Sequence, residues 1–159
     1  MGTFDAEIRA KIMENGLIEG IFTKNYATNY FVPFKAEKTE KNRFEVTEKP
    51  TADFSGKWKT EFLEADGDVY PAVGIFTQKG DKITGTFLTK LGDYRYLEGN
   101  VSGNSFYLST FDGNHLFLFS GDLKADGSVA GRFRSGPKSK ETFQAIRDEN
   151  FELPDAFSL

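Results

Sequence analysis

The sequence predicts an all-β fold: an antiparallel up-and-down barrel, or a strongly curved sandwich, of about eight to eleven strands. Three observations predict it. Of 159 residues, 17 are Phe and 16 are Gly, a composition that favours strands and turns over helices. Residues 82–121 alternate short apolar and aromatic runs with breaks at Leu91-Gly92-Asp93, Ser102-Gly103-Asn104 and Asp112-Gly113-Asn114. Gly and Asn tolerate the positive φ of tight hairpins, so these breaks read as turns of a meander. Finally, an aliphatic–x–Gly–x–Phe pattern recurs after a glycine turn at Ile18-x-Gly20-x-Phe22, Ile83-x-Gly85-x-Phe87 and Val129-x-Gly131-x-Phe133. Gly20, Gly85 and Gly131 sit bare between two bulky neighbours on one strand face. Such a gap lets another side chain cross the strand or lets the strand coil, and the pattern predicts equivalent corners of a barrel.

The elements follow in order. In residues 4–12, Phe4, Ala6, Ile8, Ala10 and Ile12 alternate with polar residues, which predicts a strand buried on one face. A helix competes, since Phe4, Ile8 and Ile12 are also spaced by four among good helix formers. Asn15-Gly16 then turns the chain into a return strand at 17–23, and a third strand follows at 29–35, where Pro33 points to a sheet edge. Residues 36–52 are a polar connector with one short strand expected at 43–47. Strands are expected at 54–63 and 69–79 around Asp66-Gly67, then through the meander. At 114–124, Leu116 to Phe119 are apolar in succession, which predicts packing on both faces. Asp126-Gly127 leads into strands at 128–135 and 138–147. The expected organisation is a single barrel domain over 1–149 and a linker over 150–159, with both ends reading as cuts from a longer protein.

Composition removes several functions. The net charge is −4 with acids and bases interspersed, which argues against nucleic acid. Without cysteine there is no disulfide, thiol catalysis or Cys-ligated metal. No apolar run approaches the roughly 20 residues of a membrane-spanning helix. His115 is the sole histidine, beside Asp112 at a turn, and Ser109 is a poor nucleophile partner for it. The acidic stretch Glu64 to Asp68 lacks the Gly and Glu of a calcium loop. Arg132, Arg134, Lys138, Lys140 and the adjoining Glu141 read as a solvated edge. No catalytic residue, cofactor or metal is therefore expected. Tyr94 and Tyr96 fall on one strand face with Arg95 on the other, and phenols around an apolar face suit a ligand site, so Tyr94, Tyr96, Arg95 and His115 are the candidate ligand-binding residues.

Two resemblances sharpen this reading. Gly56-Lys57-Trp58 resembles the Gly-x-Trp that opens lipocalin and avidin-like (calycin) barrels, where an Arg of the last strand lies over the indole; Arg147 is placed to do so here. The stretch from GDVYPAVGIF through LEGNVSGNSFYLSTFDGNHLFLF, followed by ETFQAIRDENFELPD, resembles the N-terminal accessory region of TlpA-type thioredoxin-like thiol–disulfide oxidoreductases of bacterial envelopes. The upstream FDAEIRAKI and GLIEGIFTKNYATNYFVPF fit that region too. This resemblance implies a periplasmic or envelope setting in redox homeostasis. Its Cys-x-x-Cys domain would follow Leu153-Pro154-Asp155. The chain would then be a non-catalytic module, positioning a thioredoxin-like domain of the same polypeptide, docking a protein substrate, or binding a ligand. The other reading is a calycin-like barrel that binds a small apolar ligand.

Overall fold

The computed structural model describes residues 6–24, 27, 29–135 and 139–154. Every regular element among them is a β-strand. The chain divides into two compact units, residues 1–41 and 42–159.

The first unit is a three-stranded antiparallel sheet of β1 (Ala6–Ile12), β2 (Ile18–Lys24) and β3 (Phe31–Ala36), in that order. Phe4 lies outside the described residues. The strand reading of this segment prevails over the helix: β1 pairs with β2 from Ala6↔Lys24 to Ile12↔Ile18 around the Asn15-Gly16 turn. Pro33 lies on edge strand β3. The register sets Ile8, Phe22 and Val32 in one row and Ala10, Gly20 and Phe34 in the next, so one face is apolar but for Lys24 at its end. The expectation of one barrel over 1–149 is corrected here, because these strands form a sheet of their own. Gly20 therefore marks no barrel corner, although Phe34, its partner in the ladder, does crowd it.

The second unit is a closed barrel. Its strands are β4 (Gly56–Leu63), β5 (Val69–Lys79), β6 (Lys82–Thr89), β8 (Leu97–Ser102), β9 (Ser105–Phe111), β10 (Leu116–Leu123), β11 (Val129–Ser135) and β12 (Ser139–Arg147). A two-residue strand, β7 (Gly92–Asp93), folds back on β6. Each of the eight pairs antiparallel with its sequence neighbour, and β12 pairs with β4 from Thr142↔Leu63 to Arg147↔Trp58, which shuts the cylinder. Alternate residues point inward: Trp58, Thr60 and Phe62 on β4, and Phe143 and Ala145 on β12 are all buried. At 116–119 only alternate residues face the core. Phe119 is buried and Phe117 packs against it, whereas Leu116 and Leu118 face outward, 59% and 37% exposed. The expected packing on both faces is corrected by this plain alternation.

An eight-stranded barrel has an interior just wide enough for side chains. Here phenyl rings fill it. Phe62 is the hub: Tyr70 stacks on it at 5.0 Å, and Phe87, Phe119, Phe133 and Phe143 surround it at 5.1–6.3 Å between ring centres. Room for these rings comes from glycines facing them in the ladder: Gly85↔Phe76, Gly74↔Phe87, Gly121↔Phe106 and Gly131↔Phe143. A Cβ on Gly131 would stand 2.0 Å from Cζ of Phe143, and one on Gly85 would stand 2.5 Å from Cδ1 of Phe76. The void left among Phe54, Trp58, Phe76, Phe87, Phe106 and Phe143 is about 10 Å³, too small for a ligand.

One barrel end is sealed. Residues 42–55, expected to be a loose connector with a strand at 43–47, instead run irregularly along the barrel wall. Their amides are satisfied by side chains: Phe44 N–H donates to Asn100 Oδ1 (3.0 Å), and Thr47 and Glu48 N–H donate to Ser102 Oγ (both 3.1 Å). The run ends with Phe54 buried in the core. Trp58 Nε1–H donates to the Phe54 carbonyl at 2.9 Å. The Arg147 guanidinium lies 4.5 Å from the Trp58 ring centre and donates to the carbonyls of Ser55 and Asp53. A cation over an indole is worth about 0.5–2 kcal/mol. The group therefore locks the β4–β12 seam and the plug together. Downstream, the Lys59 ammonium lies 5.4 Å from the ring centre of Phe151, and Phe151 and Leu153 are half-buried while Asn150, Glu152 and Pro154 are exposed.

The glycine–phenylalanine pairing is testable. Gly131→Ala is expected to lower unfolding free energy by about 1–3 kcal/mol in urea titration. In a cycle with Phe143→Leu the two changes should couple by at least about 0.5 kcal/mol, since the smaller side chain removes the clash. Additive effects would contradict the pairing.

Candidate functional site

The other barrel end is open. A cleft of about 510 Å³ sits there, walled by Tyr70, Pro71, Tyr94 and Phe117, by residues 89–95, and by Glu64, Asp112 and Glu141. Its floor is the top of the phenyl stack: Tyr94 meets Phe117, Phe119 and Phe133 edge-on at 5.0–5.3 Å. Strand alternation explains the lining. Glu141 shares its parity with buried Phe143 and Ala145, and Phe117 shares its parity with Phe119, so both point inward at the mouth. Tyr70 holds the equivalent place two residues before buried Ala72 on β5.

Three polar groups form a chain across the floor. The Tyr70 hydroxyl donates to Glu141 Oε2 at 2.7 Å and lies 3.1 Å from the Tyr94 hydroxyl. A phenol has one O–H, and Tyr70 gives its own to the carboxylate, so Tyr94 donates to Tyr70. Burial pushes the Tyr70 phenol well above its ordinary range, reinforced by its bonds to Tyr94 and Glu141. Burial raises Tyr94 as well, and the negative charges of Glu141 and Glu64 add to it. Asp112 is drawn the other way: burial opposes its ionisation, but N–H bonds from His115 and Asn114 and the His115 ring outweigh that and hold it low.

The residues predicted from sequence divide. Tyr94 and Arg95 line the cleft; Tyr96 does not, and is 64% exposed. The reading of 94–96 as a strand with both phenols on one face is corrected. Arg95 has φ +60°, which breaks the alternation, and its N–H bonds Asp93 Oδ1 at 2.9 Å. His115 stands behind the wall, its ring stacked on Phe117 at 6.0 Å and its Nδ1 3.3 Å from Asp112 Oδ2. Ser109 faces away: its Oγ accepts from Arg43 at 3.3 Å on the barrel exterior. Among the described residues, the bonds of His115 run to Asp112 and Asn114 and none to a hydroxyl. Tyr70 and Glu141 were missed. Their signal was in the sequence, at inward parity with Ala72 and Phe143, but Glu141 follows two basic residues and reads as surface.

No family model matches the chain. No curated protein matches it either. Among solved structures it is similar to a designed chain described as a de novo fluorescence-activating beta barrel, with TM-score 0.43 and 22% identity over 60% of this chain and 94% of that one. The barrel assignment itself stands on the strand register, which closes β12 onto β4.

The buried phenols give a pH signature. Both are held protonated by the fold, so their stabilising contribution is whole below the ordinary phenol value of 10.0 and is lost as pH rises through the higher folded value. Absorbance titration of tyrosinate should show two phenols ionising late and together with unfolding, and one fewer in Tyr70→Phe. Early ionisation of all described tyrosines would contradict the buried chain.

Proposed function

We propose that this barrel binds a small molecule with an aromatic or otherwise apolar body at its open mouth. One observation carries the reading: the barrel interior is filled, with a residual void of about 10 Å³, whereas its mouth holds a cleft of about 510 Å³ lined by Tyr70, Tyr94 and Phe117. Small-molecule sites commonly measure about 300–1,000 Å³ and combine apolar walls with a few convergent polar groups. Tyr70, Tyr94 and Phe117 supply the walls, and the Tyr94–Tyr70–Glu141 chain supplies fixed polarity at the base. The accessory role beside a thioredoxin-like domain rests on sequence resemblance alone; within that role, the cleft would be the module's ligand site.

The test is a titration with N-phenyl-1-naphthylamine, a neutral dye that brightens in apolar surroundings. Saturable one-to-one binding is expected, with Kd of about 1–100 μM, weakened about tenfold in Phe117→Ala through loss of an aromatic wall. Emission of buried Trp58 at the sealed end reports that the variant is folded. Absence of saturation, or equal binding by folded Phe117→Ala, would overturn the proposal.

A further inference from the structure

We infer that the ligand taken by this cleft is an organic cation, an amine, amidine or quaternary ammonium on an aromatic or alkyl body. The inference rests on reading the mouth as a ligand site and adds the charge of what enters it.

Register supplies the first observation. The β4–β12 ladder pairs Thr142 with Leu63, so one step beyond it Glu141 comes beside Glu64, at the cleft wall. Like charges at neighbouring ladder positions are unfavourable, and a positive ligand would relieve them. The electrostatics agree: partial desolvation raises the Glu64 carboxyl, and Asp66, Glu141 and Asp68 raise it further. The negative field also reaches the Tyr94 phenol.

The walls supply the second. Tyr70, Tyr94 and Phe117 bring three rings to one cleft with carboxylates among them, the combination that attracts a cation to ring faces and desolvates its apolar body. A metal ion fits less well. Among the described residues no three carboxylate or imidazole groups are placed to hold one. Among the described residues of the lining the opposing charges are Lys90 and Arg95, both in the exposed rim segment, whereas Glu141 projects from a barrel strand into the mouth. Among the described residues of the lining, four acids, Glu64, Asp93, Asp112 and Glu141, face two bases; Asp93 and Asp112 accept backbone N–H groups of their own turns and Glu141 accepts the Tyr70 O–H, so the cleft stays acidic with these bonds made.

Three probes of similar shape test this by calorimetry on the full chain: naphthylmethyl-trimethylammonium, naphthylmethanol and naphthoate. The cation should bind about tenfold tighter than the alcohol, with the carboxylate weakest. The advantage should shrink at ~0.5 M salt and fall toward one-fold in the Glu64→Gln, Glu141→Gln double variant. If that variant does not fold, judged by Trp58 emission, exposed Glu64→Gln alone must reduce the ratio about threefold. Equal binding of alcohol and cation, or naphthoate binding best through Lys90 and Arg95, defeats the inference and leaves the ligand reading standing. No binding by any probe defeats both.

Discussion

Glycine opposite phenylalanine is the pairing on which the barrel depends. A cylinder of eight strands encloses a narrow space, and rings as large as phenyl cannot lie across it unless facing positions carry no side chain. Gly74, Gly85, Gly121 and Gly131 each face a Phe in the ladder, and each would collide with that ring if it bore a Cβ. The rings fold over the bare backbone; Phe87 and Phe143 meet Phe62, Phe76 and Phe106 pack behind them, and almost no void is left. Glycine weakens a strand in isolation; here the ring lying on it replaces the missing side chain and bends the sheet toward closure.

Because the lower barrel is full, its two ends have different work. At one end, Phe54, Trp58 and Arg147 tie the entering segment and the closing seam together, with the indole N–H bonded to one carbonyl and the guanidinium to two. That end is structural. At the other, the rings give way to Tyr70 and Tyr94, whose hydroxyls turn from the phenyl stack toward a carboxylate. The same strands thus carry apolar residues where the barrel is sealed and acids or phenols where it opens. Glu141 and Arg147 lie on one inward-facing row of β12, at opposite ends of the molecule.

Much of this architecture was legible in the sequence. Glycine-bearing turns marked most hairpins, the Gly-x-Trp motif pointed to an indole at one barrel end with Arg147 over it, and the recurrent Gly–x–Phe pattern allowed for crossing rings. Three features were not legible. The first sheet has the same alternation as barrel strands, and nothing local distinguishes which sheet a strand joins. The segment 42–55 has no periodicity because its amides bond to Asn100, Ser102 and Gln78 side chains more than 20 residues away in sequence. The cleft was half seen: Tyr94 and Arg95 were found, but the positive φ of Arg95 turned Tyr96 outward, and Glu141 was hidden among bases although its parity with Phe143 assigned it inward.

Phenyl rings fill the barrel interior, and the mouth floored by Tyr94 and Phe117 is the proposed ligand site. A backbone-amide NMR shift map of labelled protein, recorded as an aromatic ligand is titrated to saturation, tests it most directly. The largest shifts are expected in residues 89–95 and at Asp112, Phe117 and Glu141, with Phe54, Trp58 and Ala145 unmoved. Shifts centred on the sealed end, or scattered over the outer wall, would contradict it.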